Sequence, residues 1–135
     1  MASLNQYEAF EKILKAVIAN VPVWQANMPF TKMDELARAA ARTVTYLFFR
    51  DVERIRSGGA SGVHDVVIEV NLFGPLEDID GMAAALNSVL LNEEVETDGW
   101  LFSLVLRDKK DIWEPDIKSK RIWLQYGGLM IWEGS

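Results

Sequence analysis

Two neighbouring stretches of this chain have the pattern of a long β-hairpin. From Val63 to Phe73, apolar and mostly β-branched residues recur at every second position, which is typical of a strand with one buried face. The stretch Thr43–Ile55 precedes it, and the glycine-rich segment Ser57–Gly62 joins the two, so the sequence predicts a hairpin. The first arm is apolar on both faces from Val44 to Phe49 and charged from Arg50 to Arg54. This change predicts an arm that is buried at its base and reaches solvent, or a partner, near its tip.

The segment before the hairpin has helical character in two places. Apolar residues at helical spacing predict a helix over Leu4–Ala19, which begins with a capping box at Ser3. The proline-containing stretch Val21–Phe30 is predicted as a loop that accommodates a short edge strand at Val23–Gln25. A second capping residue and a run of good helix formers predict a shorter helix over Thr31–Ala41.

The segment after the hairpin predicts one further helix and two further strands. Apolar residues at helical spacing follow a capping aspartate and predict a helix over Asp80–Leu90. Alternation returns in a strand over Leu101–Leu106, and a long charged loop is predicted over Asp108–Lys120. The final strand is predicted over Arg121–Trp132, with a glycine pair at Gly127-Gly128 that permits a bulge or bend.

These elements predict an α+β fold in one domain that covers residues 1–135. The sheet is expected to be mainly antiparallel, to have about four strands, and to carry its helices on one face and a projecting hairpin arm. In the last strand, Ile122, Leu124 and Tyr126 are expected to face the core, which places Trp123 on the other face.

Composition and charge exclude several classes of function. A chain of 135 residues is long enough to bury a core, and it has no cysteine for a disulfide framework or a thiolate zinc site. Its formal net charge of −6 disfavours a nucleic-acid binder that neutralises phosphates, but it suits a protein that lets DNA pass. No signal peptide or membrane span is expected. Five Trp, six Phe and three Tyr exceed what one small core hides easily, which favours an interface.

No constellation of catalytic or metal-binding residues can be argued from the sequence. The only histidine, His64, is interpreted as an ordinary surface residue at the root of a strand, since it lacks the partners of a general base. The glycine-rich segment Ser57–Gly62 is followed by a strand and lacks the Lys-Ser/Thr pair of a phosphate loop. The acids between Asp108 and Asp116 do not have calcium-loop spacing, and lysines are interleaved with them. We therefore expect no covalent chemistry, no metal and no cofactor.

Three runs of the sequence resemble one family of phage proteins. They are RTVTYLFFRDVERIRSGGASGVHDVVIEVNLFG, IDGMAAALNSVLL and WLFSLVLRDKKDIWEPDIKSKRIWLQYGGLMIW. The order of an apolar strand, a glycine-containing tip, an alternating strand, a helix and two further strands around a "D…EPD" loop resembles the tail-terminator, or tail-completion, proteins of long-tailed bacteriophages. The resemblance covers about two-thirds of the chain, and Thr31–Arg42 departs from it.

The resemblance implies a structural virion protein of the tail or neck, assembled in the host cytoplasm. Such a protein forms a homohexameric ring on the last ring of the tail tube, stops tube polymerisation and joins the head–tail connector, while DNA passes through the centre without specific binding. Two alternatives remain at this point. One is a head-completion or connector stopper ring protein, and the other is a small non-viral domain that binds a peptide along an open sheet edge.

Two groups of residues are predicted to form partner surfaces. The first is an acidic turn, which a ring would place toward its lumen or rim, where negative charge repels phosphates. Its members are Glu93, Glu94, Glu96 and Asp98. The second is a subunit or partner interface, predicted because Trp beside Arg is typical of interface anchors and because the hairpin tip projects. Its members are Arg121, Trp123 and Gln125 in the last strand, Arg54, Arg56, Gly58 and Gly59 near the tip, and Trp113 in the charged loop.

Overall fold

The structure is a computed structural model, and it describes residues 5–18, 23–25, 43–56, 59–91, 95–114 and 119–133. Within these ranges the chain forms two helices and one sheet of six strands, and their bounds are as follows. In chain order they are α1 (Gln6–Val17), β1 (Val23–Gln25), β2 (Thr43–Arg56), β3 (Gly59–Pro75), α2 (Leu76–Leu90), β4 (Val95–Thr97), β5 (Trp100–Glu114) and β6 (Ser119–Trp132). The strand order in the sheet is β1-β2-β3-β6-β5-β4.

The pairing of the strands assigns each side chain to one of two faces. The β1–β2 pair is parallel and the other pairs are antiparallel. Tyr46 pairs with Val70, which pairs with Leu124, and all three are buried. We call the face on which these three side chains lie the inner face. Because side chains alternate between the faces of a strand, this row determines which other residues lie on the inner face. They include Val44, Val66, Ile68, Leu72, Phe102, Leu104, Ile122, Tyr126 and Met130.

Both described helices cover the inner face. Helix α1 begins with a capping box in which Asn5 Oδ1 accepts from the Glu8 amide at 2.8 Å and Glu8 Oε1 accepts from the Asn5 amide at 3.2 Å. Its buried Phe10 ring lies 5.6 Å from the Tyr46 ring and 6.3 Å from the Phe102 ring. Helix α2 is joined to the sheet by the Tyr126 hydroxyl, which lies 2.5 Å from Asn87 Oδ1. The core is therefore a single layer between the helices and the sheet.

The outer face of the sheet is buried at one end and exposed at the other. Thr43, Thr45 and Phe73 lie on this face and are almost fully buried. At the other end, Val105 is 63% exposed and Val52 is 48% exposed. Among the described residues, this end of the outer face is therefore open to solvent.

The predicted α+β class, the hairpin and the short edge strand at Val23–Gln25 are confirmed. The sheet has more strands than the four expected, because β1 and β4 extend its edges. The hairpin turn is also shorter than Ser57–Gly62, since β3 begins at Gly59 and pairs Gly59 with Arg56. The capping box lies at Asn5 rather than Ser3, a residue outside the described ranges, and the predicted helix over Thr31–Ala41 also lies outside them.

The predicted loop over Asp108–Lys120 is wrong for most of its length. Strand β5 continues to Glu114 and β6 begins at Ser119, and the two residues pair with each other. Most of the residues in this segment are charged, so it lacks the alternation of apolar and polar residues that indicates a strand. Its composition resembles that of a solvated loop, although pairing with β6 makes it a strand. Helix α2 also begins earlier than Asp80, at Leu76.

The sequence predicts that Gly127-Gly128 permits a bulge or bend, and a bulge lies beside this pair. The irregularity lies in the partner strand β5, between Leu106 and Asp108. Gly128 has a φ of +148°, and a Cβ at this position would overlap the Ser103 carbonyl oxygen. A Cβ at Gly127 would overlap the side chain of Arg107, which lies across it. The two glycines therefore allow β5 and its bulged arginine to approach β6 closely.

Substitution of Gly128 should distinguish the need for a glycine at this position from the general loss of stability that a glycine causes in a regular element. Gly128→Ala should lower the free energy of unfolding by more than ~1 kcal/mol, because the native backbone conformation and the Ser103 carbonyl both exclude a Cβ. The matched control is Gly81→Ala in α2, where a Cβ meets nothing within 4 Å. It should raise the free energy of unfolding by about 0.5–1 kcal/mol. Urea denaturation followed by circular dichroism measures both, and an equal effect of the two substitutions would contradict the argument.

Candidate functional site

A cleft of about 510 Å³ lies at the exposed end of the outer face. We call it the arginine groove, and it is defined by three guanidinium groups above an apolar floor. The arginines are Arg50, Arg54 and Arg107, and the floor includes Val67, Val105, Gly127 and Leu129. In a chain with 20 acidic and 14 basic residues, three arginines around one cleft are a local reversal of charge.

Two β-bulges turn the arginines into this groove. Strand β2 shifts register between Phe48 and Arg50, and β5 shifts between Leu106 and Asp108. Arg50 follows the first shift and pairs with Val67 on the groove floor. Arg107 is the extra residue of the second shift, and its aliphatic stem lies over Gly127. Bulges commonly redirect a side chain in this way.

Asp65 also lines the groove, and among the described residues Arg54 is the groove arginine that forms a salt bridge with it. Arg54 donates to Asp65 through Nε at 2.8 Å and through a terminal nitrogen at 3.0 Å. These hydrogen bonds, together with the positive charges of Arg54 and Arg50, hold the pKa of the Asp65 carboxyl below its usual range. The pair therefore contributes stability above the ordinary titration range of aspartate, and the contribution is lost as the pH falls through the lowered pKa. Arg50 and Arg107 form no ion pair with any described residue.

A second polar cluster lies on the inner face, where α1 meets the hairpin arm. His64 Nδ1 lies 2.7 Å from Asp51 Oδ1, and Gln6 Nε2 donates to Asp51 Oδ2 at 2.7 Å. The side chains of His64 and Asp51 are 12% and 11% exposed. Burial, followed by the negative charge of Asp51, raises the pKa of Tyr7. The expectation that His64 is an ordinary surface residue is therefore wrong.

The surroundings of His64 favour a structural role for this cluster. Its Nε2 lies 3.8 Å from Glu53 Oε2, and that same oxygen accepts from the Gly62 amide at 2.9 Å. Both ring nitrogens thus face carboxylates, and the ring packs edge-on at 5.4 Å from Trp100. A cleft of about 350 Å³ adjoins the cluster. The network ties the start of α1 to the arm.

The hairpin register is the signal that could have revealed this cluster. Glu53 pairs with His64 across the hairpin, and Asp51 lies two residues away on the same face. From the sequence, Asp51 and Glu53 lie in one predicted strand and His64 lies in the next. The register that brings them together depends on the bulge after Phe48, which the sequence does not indicate.

The predicted anchors of the last strand lie on the outer face. The Trp123 ring is half-buried, and Lys110 Nζ lies 5.1 Å from its centroid in a cation–π contact. Gln125 Nε2 donates to Glu69 Oε1 at 3.4 Å. Arg121 is half-buried in the row that contains Phe73. These residues share a face with the arginine groove, so the structure brings Arg54 and the Trp123 segment onto one surface.

The remaining predicted interface residues lie at the two hairpin ends. Arg56 and Gly59 pair with each other at the end of the arm, whereas Gly58 lies outside the described ranges. Trp113 pairs with Lys120 near the end of the β5–β6 hairpin. The register places these two ends at opposite ends of the sheet, so the predicted residues do not form one patch.

The described part of the predicted acidic turn consists of strand β4 and the tight turn that joins β4 to β5. Glu96 lies in β4, pairs with Leu101 and is exposed on the outer face. Asp98 has a φ of +50° and Gly99 a φ of +88°, values that suit a two-residue Asp-Gly turn. Asp98 accepts from Lys12 Nζ at 2.6 Å, so its charge is balanced by α1. Glu93 and Glu94 lie outside the described ranges.

Two further observations concern the described part of the chain alone. No group of three or more His, Asp or Glu side chains there is placed to hold a metal ion. No helix there is long and apolar enough to cross a membrane.

Comparison with known proteins gives a likeness in fold. No protein-family model matches the sequence, and no curated protein matches it. The fold is similar to that of a chain in the solved structure of the virion of a native gene transfer agent (GTA) particle, with a TM-score of 0.51 and 21% sequence identity. The likeness covers 93% of this chain and 90% of that chain. It shows a shared fold that extends over nearly the whole of both chains.

Removal of the Asp51 carboxylate should test the cluster on the inner face. Asp51→Ala leaves His64 Nδ1 and Gln6 Nε2 without their acceptor, and the free energy of unfolding should fall by about 1–3 kcal/mol. Asp51→Asn keeps one carbonyl acceptor and should cost less. Glu133→Ala, at an exposed position, is the control and should lie within about 0.5 kcal/mol of the wild type. Denaturant titration measures all four proteins, and a loss no larger than that of the control would mean that the cluster contributes little.

Proposed function

We propose that this chain is a structural subunit of a phage-like virion and forms the ring that terminates the tail tube. The observation that carries the virion assignment is the likeness, over nearly both full chains, to a protein in the gene transfer agent virion. The sequence resemblance to tail terminators supports the finer role. In that role the ring caps the tube, stops its polymerisation and joins the head–tail connector, and DNA passes through the centre.

Two unpaired strand edges support assembly into a ring. Strand β1 pairs only with Val44–Tyr46, so from Leu47 onward the outer edge of β2 has no partner among the described strands. Strand β4 pairs only with Trp100–Phe102, so the outer edge of β5 is likewise unpaired from Ser103. An unpaired edge offers a row of N–H and C=O groups to another chain. Two such edges on opposite sides of one sheet suit a head-to-tail interface that repeats until the ring closes.

Apolar side chains along the first of these edges support the same conclusion. Phe49 is 68% exposed, Val52 48% and Ile55 85%, and all three lie on β2. Side chains of this kind are uncommon in such density on a free surface, and their burial against a neighbour would stabilise the assembly by about 25 cal/mol for each Å² removed from water. The arm is therefore the part of the subunit that we assign to contact with its neighbour.

A terminator also needs two dissimilar surfaces, one for the tube and one for the connector. The hairpin end with Arg56 and Gly59 and the hairpin end with Trp113 and Lys120 lie at opposite ends of the sheet. They differ in sequence and charge, so a ring would present a different rim on each side. This difference allows one rim to accept the tube while the other refuses a further tube ring. The proposal assigns the chain no catalytic step and no cofactor.

Removal of the protein from a phage that encodes it should reveal the proposed role. Without a terminator, tube growth is unchecked, so electron micrographs of lysates should show tails of uncontrolled and mostly excessive length beside filled, unattached heads. Purified protein should form rings in negative stain, and its addition to such lysates should cap the tails and restore joining.

Other outcomes would assign the chain differently. Tails of normal length together with heads that leak DNA would indicate a connector stopper. A protein that remains monomeric at high concentration and binds a single peptide along the β2 edge would indicate a peptide-binding domain, and the ring proposal would be wrong.

A further inference from the structure

The two edges of the sheet are stepped, because each carries a short strand that covers only part of the longer strand beside it. Strand β1 pairs with β2 at Val44–Tyr46, and β4 pairs with β5 at Trp100–Phe102. These two short strands stand at the two ends of the strand order. The rest of β2 and the rest of β5 are therefore edges without a partner among the described strands.

The cross-strand registers show that the two steps lie at opposite ends of the sheet. Strand β1 ends at the row of cross-strand partners that joins Tyr46 of β2 to Lys109 of β5. Strand β4 begins at the row that joins Glu53 of β2 to Phe102 of β5. Between these two rows, neither long strand has a short strand beside it. The uncovered stretches are Leu47–Val52 in β2 and Ser103–Asp108 in β5.

The strand directions allow the edges of neighbouring copies to join in one sheet. The β1–β2 pair is parallel and the other pairs are antiparallel, so β1, β2, β6 and β4 run one way and β3 and β5 run the other. A head-to-tail ring brings the β5 edge of one copy to the β2 edge of the next in the same orientation. The two short strands then run in the same direction at different rows. Short strands at the same row would collide, whereas these two leave room for each other.

This complementarity specifies how two copies fit together. We propose that β1 of one subunit and β4 of a second copy of this chain lie end to end in a single strand position, between β2 of the first copy and β5 of the second. Strand β1 extends the free edge of β5 in the antiparallel sense, and β4 extends the free edge of β2 in the parallel sense. Backbone N–H and C=O groups on all four edges thereby gain partners. This inference rests on the proposed ring, and we call the contact the stepped joint.

Exposed apolar side chains lie in the uncovered stretches of both long strands. Phe49 on β2 is 68% exposed, and Val105 on β5 is 63% exposed. Arg50, which follows Phe49, belongs to the same cross-strand row as Val105. In the stepped joint both residues therefore lie beside the space that β1 and β4 leave between them. Their burial there removes apolar area from water and stabilises the joint.

Engineered cysteines test the stepped joint, because the chain has no cysteine of its own. One pair links β1 to β5, Gln25→Cys with Lys109→Cys, and the other links β4 to β2, Glu96→Cys with Ile55→Cys. The two members of a pair are placed in separate proteins, which are mixed and oxidised, so a disulfide forms only between copies. Each long-strand cysteine is also moved by one residue to either side to allow for a small shift between copies. Each pair should give at least about tenfold more covalent dimer than the same β1 or β4 cysteine mixed with Ser88→Cys on the exposed face of α2.

Substitution of Phe49 tests the apolar part of the joint. Phe49→Asp should weaken self-association about tenfold or more, because it places a charge in a space that the joint closes to water. Phe49→Leu keeps an apolar side chain and should stay within about threefold of the wild type. The matched control is Leu91→Asp, at an exposed apolar residue after α2, which should stay within about twofold. Light scattering coupled to size-exclusion chromatography measures the assembled fraction, and circular dichroism checks the fold of each variant.

The possible results distinguish the stepped joint from the ring. If the wild type forms rings and neither cysteine pair exceeds the Ser88→Cys control, the joint is wrong and the ring proposal stands. If Gln25→Cys cross-links efficiently to another copy of itself, two β1 edges meet about a two-fold axis, and both proposals are wrong. If Phe49→Asp behaves like Leu91→Asp, the apolar part of the joint is wrong. If the wild type never assembles, both proposals fail together.

Discussion

Strand β3 pairs on both sides for most of its length, and this double pairing determines the faces of the whole sheet. It lies between β2 and β6, and its register with each is continuous from His64 to Phe73 except at the bulge in β2 after Phe48. Because side chains alternate, a slip of one residue on either side would expose Ile68, Val70 and Leu72 to solvent. The burial of these side chains under α1 and α2 therefore fixes the register, and the register then places every other functional side chain.

The two bulges convert this simple alternation into a separation of charge. Before Phe49 the even-numbered residues of β2 face the helices, and after it the odd-numbered residues do. Asp51 and Glu53 are thereby directed to His64 on the inner face, whereas Arg50 and Arg54 reach the outer face. Without the bulge these charges would exchange faces, and the arginines would lie against the core. The carboxylate cluster and the outward position of Arg50 and Arg54 are thus consequences of the extra residue in β2, whereas Arg107 reaches the groove through the bulge in β5.

The sequence predicts the parts of this fold that are amphipathic and leaves out those that are not. Alternation between Val63 and Phe73 is sufficient to predict β3, and helical spacing is sufficient for α1 and α2. The segment from Asp108 to Glu114 has no apolar face, so only its pairing with β6 makes it a strand. The sequence does not predict β4, although Asp98-Gly99 is a turn signal, because three residues are too few to show alternation. The groove could not be predicted, since it depends on which residue of each strand bulges.

Charge along the unpaired edges limits which chains can pair with them. An exposed strand edge invites indiscriminate association, and charged residues within it are a common protection. The β5 edge holds Arg107, Asp108 and Lys109 in succession, and the β2 edge carries both acids and bases after Phe49. Copies of a chain with a net charge of −6 also repel one another at distances up to the Debye length, ~8 Å at physiological salt. Association of identical copies therefore has to come from short-range contacts that outweigh this repulsion. The exposed apolar side chains of β2, Phe49, Val52 and Ile55, can supply such contacts, because their burial against a second surface removes apolar area from water.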